Sequence, residues 1–168
     1  MILNRTIYKY LRKSNLLKTK KMVIKNTNPI PIYPKENYPY TTDAKTLEWF
    51  ICSNKGKRSF SQQLLEHIRN SKETEADIYN RVDIDRKHFY KIKNNVNYQP
   101  RKNTAIALCL ALYLSLEETV ELLNLAGYSL SRYSEVDLAI VYFIQKGIYD
   151  LDKINNELYG YNGSTLKE

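Results

Sequence analysis

Residues 74–95 read TEADIYNRVDIDRKHFYKIKNN, and the spacing of their apolar side chains predicts two short helices joined by a tight turn. Ile78 and Val82 lie four apart on the first helix, Phe89 and Ile92 three apart on the second, and Ile84 fills the turn between them. Asp85 belongs to a residue type that starts helices by accepting backbone N–H bonds, so it sets where the second helix begins. Behind it come Arg86, Lys87, Lys91 and Lys93, on the side that the apolar residues leave outward. This is the layout of a helix-turn-helix, with positive side chains on the first turns of the second helix.

Further helices are expected on both sides. Upstream, Phe60, Leu64, Leu65 and Ile68 recur at helical spacing within a helix over Phe60 to Ser71. A polar break, NKGKR at 54–58, separates it from a short helix over Ala44 to Ser53, which Asp43 can cap and in which Leu47, Phe50 and Ile51 share a face. Residues 26–42, NTNPIPIYPKENYPYTT, hold four of the five prolines and exclude a continuous helix there. Downstream, the loop NNVNYQPRKN contains Pro100 and leads to a helix over Thr104 to Leu114 with a broad apolar face. Ser115 and Glu118 then have the spacing of a capping box for the next helix, which Gly127 ends. Two more helices are expected, Ser134 to Lys146, stopped by Gly147, and Asp150 to Tyr159, carrying Leu151, Ile154 and Leu158. The fold class is therefore all-α.

At 168 residues the chain can bury one sizeable core and a small extension. Its net charge of +8 is unevenly placed. Residues 1–58 carry 13 Lys/Arg against 3 Asp/Glu, residues 81–102 carry 7 against 2, and residues 103–168 carry 4 against 9. Two basic zones thus precede an acidic C-terminal part. A polyanion suits the basic zones, because neutralised phosphates release condensed counterions; solvated lysines are the alternative, above all in the arm. The longest nearly apolar stretch, 105–116, is far short of the roughly 20 residues that cross a bilayer, so no membrane partner is expected. Cys52 and Cys109 are isolated, which suggests neither a disulfide framework nor a metal site and points to a reducing, cytoplasmic setting. The N-terminal stretch MILNRTIYKYLRKSNLLKTKK does not read as a secretory signal.

Several phrases carry a family resemblance: SFSQQLLEHI, IYNRVDIDRKHFYKIKNNVNYQPRKNTAIALCLAL, LEETVELLNLAGYSLSRYSEVDLAIVYFIQKGIYD and INNELYGY. Phe60 to Gly127 resembles the phage-repressor, or XRE-like, helix-turn-helix family, and residues 59–161 look like a bacterial version of it with extra C-terminal helices. The resemblance implies a five-helix repressor-type domain over 59–127 and a helical extension over 128–162, followed by a tail over 163–168; it leaves residues 1–58 unexplained, and their composition alone reads as a basic, Tyr/Pro-containing arm. It also implies DNA binding, transcriptional regulation and a homodimer on paired half-sites. Carried over position by position, it places Arg86, Lys87, Tyr90 and Lys91 on the face that reads the major groove, with His88 at its margin. Lys93, Asn94, Arg101 and Lys102 become candidates for contacts to the phosphate backbone, which position without reading sequence. Three residues depart from the family pattern: Glu75 stands where a DNA-touching glutamine is usual, Tyr79 where a small residue is usual, and Asp83 where the turn usually has glycine. Glu75 would repel phosphate, whereas aspartate tolerates a left-handed backbone better than most residues.

Nothing in the sequence points to catalysis. There is no phosphate-cradling glycine loop, no nucleophile with a base at workable spacing, and His67 and His88 lack companions for a metal, so no cofactor or metal is expected. Two functions are open. One is a DNA-binding regulator of bacterial or mobile-element origin, with residues 1–25 adding phosphate or minor-groove contacts. The other turns the same scaffold to a protein or RNA partner in phage defence or counter-defence, through the acidic helices 115–126 and 134–159 and the aromatic arm. Tyr33, Tyr38 and Tyr40 of that arm can stack on bases or pack on the domain.

Overall fold

Serine, threonine and aspartate start most of the helices. The computed structural model describes residues 44–56 and 58–166, and among them there are eight helices and no strand. They are α1 (Ala44–Asn54), α2 (Phe60–Asn70), α3 (Glu75–Arg81), α4 (Arg86–Asn94), α5 (Lys102–Ala111), α6 (Leu116–Leu125), α7 (Glu135–Gln145) and α8 (Leu151–Asn162). Ser59 with Gln62, Thr74 with Asp77 and Ser115 with Glu118 form reciprocal capping boxes that satisfy otherwise unpaired amides at the starts of α2, α3 and α6. Asp85, Ser134 and Asp150 cap α4, α7 and α8 with a single side-chain acceptor each. The arm of residues 1–25, the proline-bearing stretch 26–42 and the Asp43 cap lie outside the described residues.

The chain divides into two units, Met1–Gly56 and Lys57–Glu168. In the second, α5 is the centre: every residue from Thr104 to Ala111 is buried, and the helix packs against α3, α6 and α8. α2 lies on α4 and α6, and α7 joins α6 to α8. Leu64, Ile78, Phe89, Ile92, Ile106, Leu108, Leu122, Ile140 and Ile154 are wholly buried, each contributing roughly 1.5–3 kcal/mol of apolar transfer. The residues whose spacing defines the two short helices, Ile78, Val82, Phe89 and Ile92, all belong to this core. Cys109 is also in it, and burial pushes its thiol up to about 12, which keeps it protonated and unreactive at neutral pH. No helix among the described residues is long and apolar enough to cross a membrane.

The helix expected over Thr104 to Leu114 begins two residues earlier and ends three earlier. Its end is made by Tyr113, whose φ of +54° reverses the chain so that the amides of Tyr113 and Leu114 bond back to the carbonyls of Leu110 and Cys109. Glycine usually takes this conformation, and a tyrosine there gives no sequence signal. The last helix likewise runs past Tyr159 to Asn162, where Gly163 at φ +74° stops it.

Candidate nucleic-acid interface

The α3–α4 corner is built from its turn outward. Val82 closes α3, Asp83 takes the left-handed conformation at φ +56°, and the Ile84 amide donates back to the Tyr79 carbonyl at 3.1 Å. Asp85 then accepts the His88 amide at 2.9 Å. That bond, the largest of the local influences, holds the Asp85 carboxyl below its ordinary value. α4 buries Phe89 and Ile92 against the core, so the remaining sides of its first two turns face outward.

Arg86, Lys87, Tyr90, Lys91 and Asn94 are exposed on that helix. Among the described residues none of Arg86, Lys87 and Lys91 forms an ion pair. Aromatic rings organise them instead. The Arg86 guanidinium lies 5.4 Å from the centre of the Tyr90 ring, and the Lys91 ammonium 4.8 Å from that of Tyr98. The Tyr90 hydroxyl close by raises the Arg86 pKa above its ordinary value, and the guanidinium is charged in any case. Tyr98 also meets His88, hydroxyl to Nε2 at 3.1 Å with the rings edge to face. The result is a row of cationic donors able to make charge-assisted hydrogen bonds to phosphate oxygens or to the acceptor edges of bases.

Two of the expected backbone-contact residues are taken by the protein itself. Lys93 is only 8% exposed, and its ammonium bonds Glu75 Oε1 at 2.6 Å while lying 4.5 Å from the Tyr90 ring centre. Lys102 bonds Asp137 Oδ2 at 2.6 Å, and the same carboxylate oxygen accepts the Ser131 amide at 2.7 Å. Asp137 is buried, and these two donors satisfy its carboxyl oxygen there. Both lysines therefore have acidic partners within the protein, Lys93 nearly buried and Lys102 partly exposed. Asn94 and Arg101 stay at the exposed surface.

Glu75, Tyr79 and Asp83 each have a local role in the structure. Glu75 is neutralised by Lys93, which removes the repulsion expected from it. Tyr79 packs its ring 5.8 Å from that of Phe89. Asp83 supplies the left-handed turn residue. No family model matches this chain, and neither curated proteins nor solved structures resemble it significantly. The Arg86–Tyr90 and Tyr90–Lys93 contacts follow helical spacings of four and three and are legible in the sequence. Tyr98, Glu75 and Asp137 carry no comparable signal, because each meets its partner across a loop or from another helix.

No group of three or more His, Cys, Asp or Glu that could hold a metal occurs among the described residues. Away from α4, a surface cleft of about 630 Å³ lies at the α3 end and the α8 start and is lined by Arg81, Asp83, Tyr113, Tyr149 and Asp150. Arg81 there is already bound to Glu73 and to the Ala111 carbonyl, at 2.8 and 2.6 Å.

Proposed function

We propose that this protein is a DNA-binding helix-turn-helix protein that regulates transcription in a bacterium or mobile element, and that α4 enters the major groove. The observation that carries the reading is the outward face of α4, where Arg86, Lys87 and Lys91 stand exposed and none of them forms an ion pair among the described residues. The order of helices α2 to α6, with a tight turn between the second and third of them, supports a repressor-type arrangement, and α7 and α8 would be the additional C-terminal pair. In this reading Arg86, Lys87, Tyr90 and Lys91 address base edges or phosphates, and Asn94 and Arg101 flank the backbone. The role is binding, not catalysis. Two copies on half-sites about 34 Å apart would match two-fold symmetry.

A randomised-duplex selection followed by affinity measurement over a salt series tests this. An enriched sequence bound with a steep salt dependence supports the reading; equal, weak binding of all duplexes removes it.

A second reading has its own observation. Tyr133 is fully exposed and Tyr159 is 67% exposed on the acidic C-terminal side, where Glu135 accepts from the Tyr161 hydroxyl. Such a surface suits a protein partner or an RNA-binding assembly used in defence or counter-defence. Recovery of a stoichiometric protein or RNA, lost on Tyr133→Ala/Tyr159→Ala, would favour it.

A further inference from the structure

Glu75, Lys93, Tyr90 and Arg86 form a continuous chain of contacts that begins on α3 and ends at an exposed guanidinium on α4. The carboxylate of Glu75 holds the Lys93 ammonium at 2.6 Å. That ammonium lies 4.5 Å from the centre of the Tyr90 ring, and Arg86 lies 5.4 Å from the same centre. Tyr90 is 39% exposed and is flanked by two cations, one of them the nearly buried Lys93, which is paired with the partly exposed Glu75.

We infer that Glu75 is a positioning residue that sets base discrimination: by holding Lys93 against Tyr90 it fixes the ring on which Arg86 rests, and so fixes where Arg86 points. The inference depends on the major-groove reading of α4. A planar guanidinium recognises the two acceptors on the guanine edge only when its fork is correctly directed, so a small loss of order at Tyr90 costs selectivity before it costs affinity. Glu75 also cancels the Lys93 charge. Without it, one more cation faces a polyanion. These two effects have opposite signs, because discrimination falls while sequence-independent attraction rises. The carboxylate that looks unsuited to a DNA-facing helix thereby acquires a function, trading general attraction for selectivity.

The experiment uses the full chain and a duplex enriched by selection, alongside a scrambled duplex of the same length. Wild type and Glu75→Gln are compared by affinity over a salt series, with thermal unfolding as a check on folding. For Glu75→Gln, binding to the scrambled duplex strengthens, the salt slope steepens by about 0.9, and the selected-to-scrambled ratio drops about tenfold. The double variant Glu75→Gln/Lys93→Met restores the original charge balance, and its ratio stays low at the wild-type slope. If either variant folds and keeps the wild-type ratio, Glu75 acts through charge alone and the positioning role is wrong. If the wild type itself enriches no sequence, the groove reading fails and this inference falls with it.

Discussion

Arg86 and Lys87 stand next to each other on α4 but differ in what they touch. Arg86 rests on Tyr90, whereas Lys87 is exposed beside the Asp85 cap, on whose carboxyl its charge acts. An arginine anchored by a ring is suited to read a base edge, and a lysine acts as a point charge. Arg86→Lys should therefore keep the salt dependence of duplex binding while lowering discrimination at one base pair about tenfold, measured by affinity across a set of single-base variants of the selected duplex. Unchanged discrimination would move the reading role elsewhere on the helix. Tyr113 is the other residue whose conformation stands out. Its left-handed backbone disfavours any side chain, and its ring is held by Arg81 at 5.0 Å and by an edge-to-face contact with Tyr149. Tyr113→Ala loses the contacts and keeps the strain, whereas Tyr113→Gly loses both. The glycine variant should be the more stable of the two by about 1 kcal/mol in chemical denaturation.

At the scale of the helix, the caps and the buried pair between α5 and α7 make distinct predictions. Hydrogen bonds hold the Asp85 and Asp77 carboxyls below their ordinary 3.8, from the His88 amide in one case and chiefly from the Thr74 hydroxyl in the other. A depressed folded value means these groups stabilise the fold above pH 3.8 and lose that contribution as the pH falls through the lowered value. Asparagine can accept the same amide hydrogen bond, but it carries no charge to strengthen that bond and does not titrate. The thermal stability advantage of wild type over Asp85→Asn should thus be steady near neutral pH and vanish in acid; a constant gap down to pH 2 would exclude the linkage. Lys102→Met strands the Asp137 carboxylate with little beyond the Ser131 amide and should cost about 3 kcal/mol in denaturant unfolding, with duplex affinity of the folded protein little changed.

These elements also show what the sequence could convey. Ile78, Val82, Phe89 and Ile92 declared their burial through spacing alone, and Asp85, Ser115 and Glu118 declared the helix starts through local hydrogen-bond chemistry. Both signals act within one or two turns. Lys93 and Lys102 were illegible because their partners lie 18 and 35 residues away on other helices, and charge count alone cannot distinguish a lysine facing outward from one spent inside. The true end of α5 was hidden for a different reason, a tyrosine in a conformation that residue type seldom adopts.

Over the whole molecule, charge is separated along the chain. Residues 81–102 are strongly basic and residues 103–168 are acidic, so the exposed side of α4 favours a polyanion and the segment after it does not. Internal pairing sharpens this division. With Lys93 buried against Glu75, the exposed cations of α4 are Arg86, Lys87 and Lys91. A narrow footprint centred on α4 is therefore expected. The most direct measurement is an NMR titration of the isotope-labelled protein with the selected duplex, following backbone amides. The amides of Arg86 to Asn94 should shift or broaden first, with those of α7 and α8 unmoved. Changes confined to α7 and α8, or none on α4 at saturating duplex, would contradict the claim that this helix is the nucleic-acid interface.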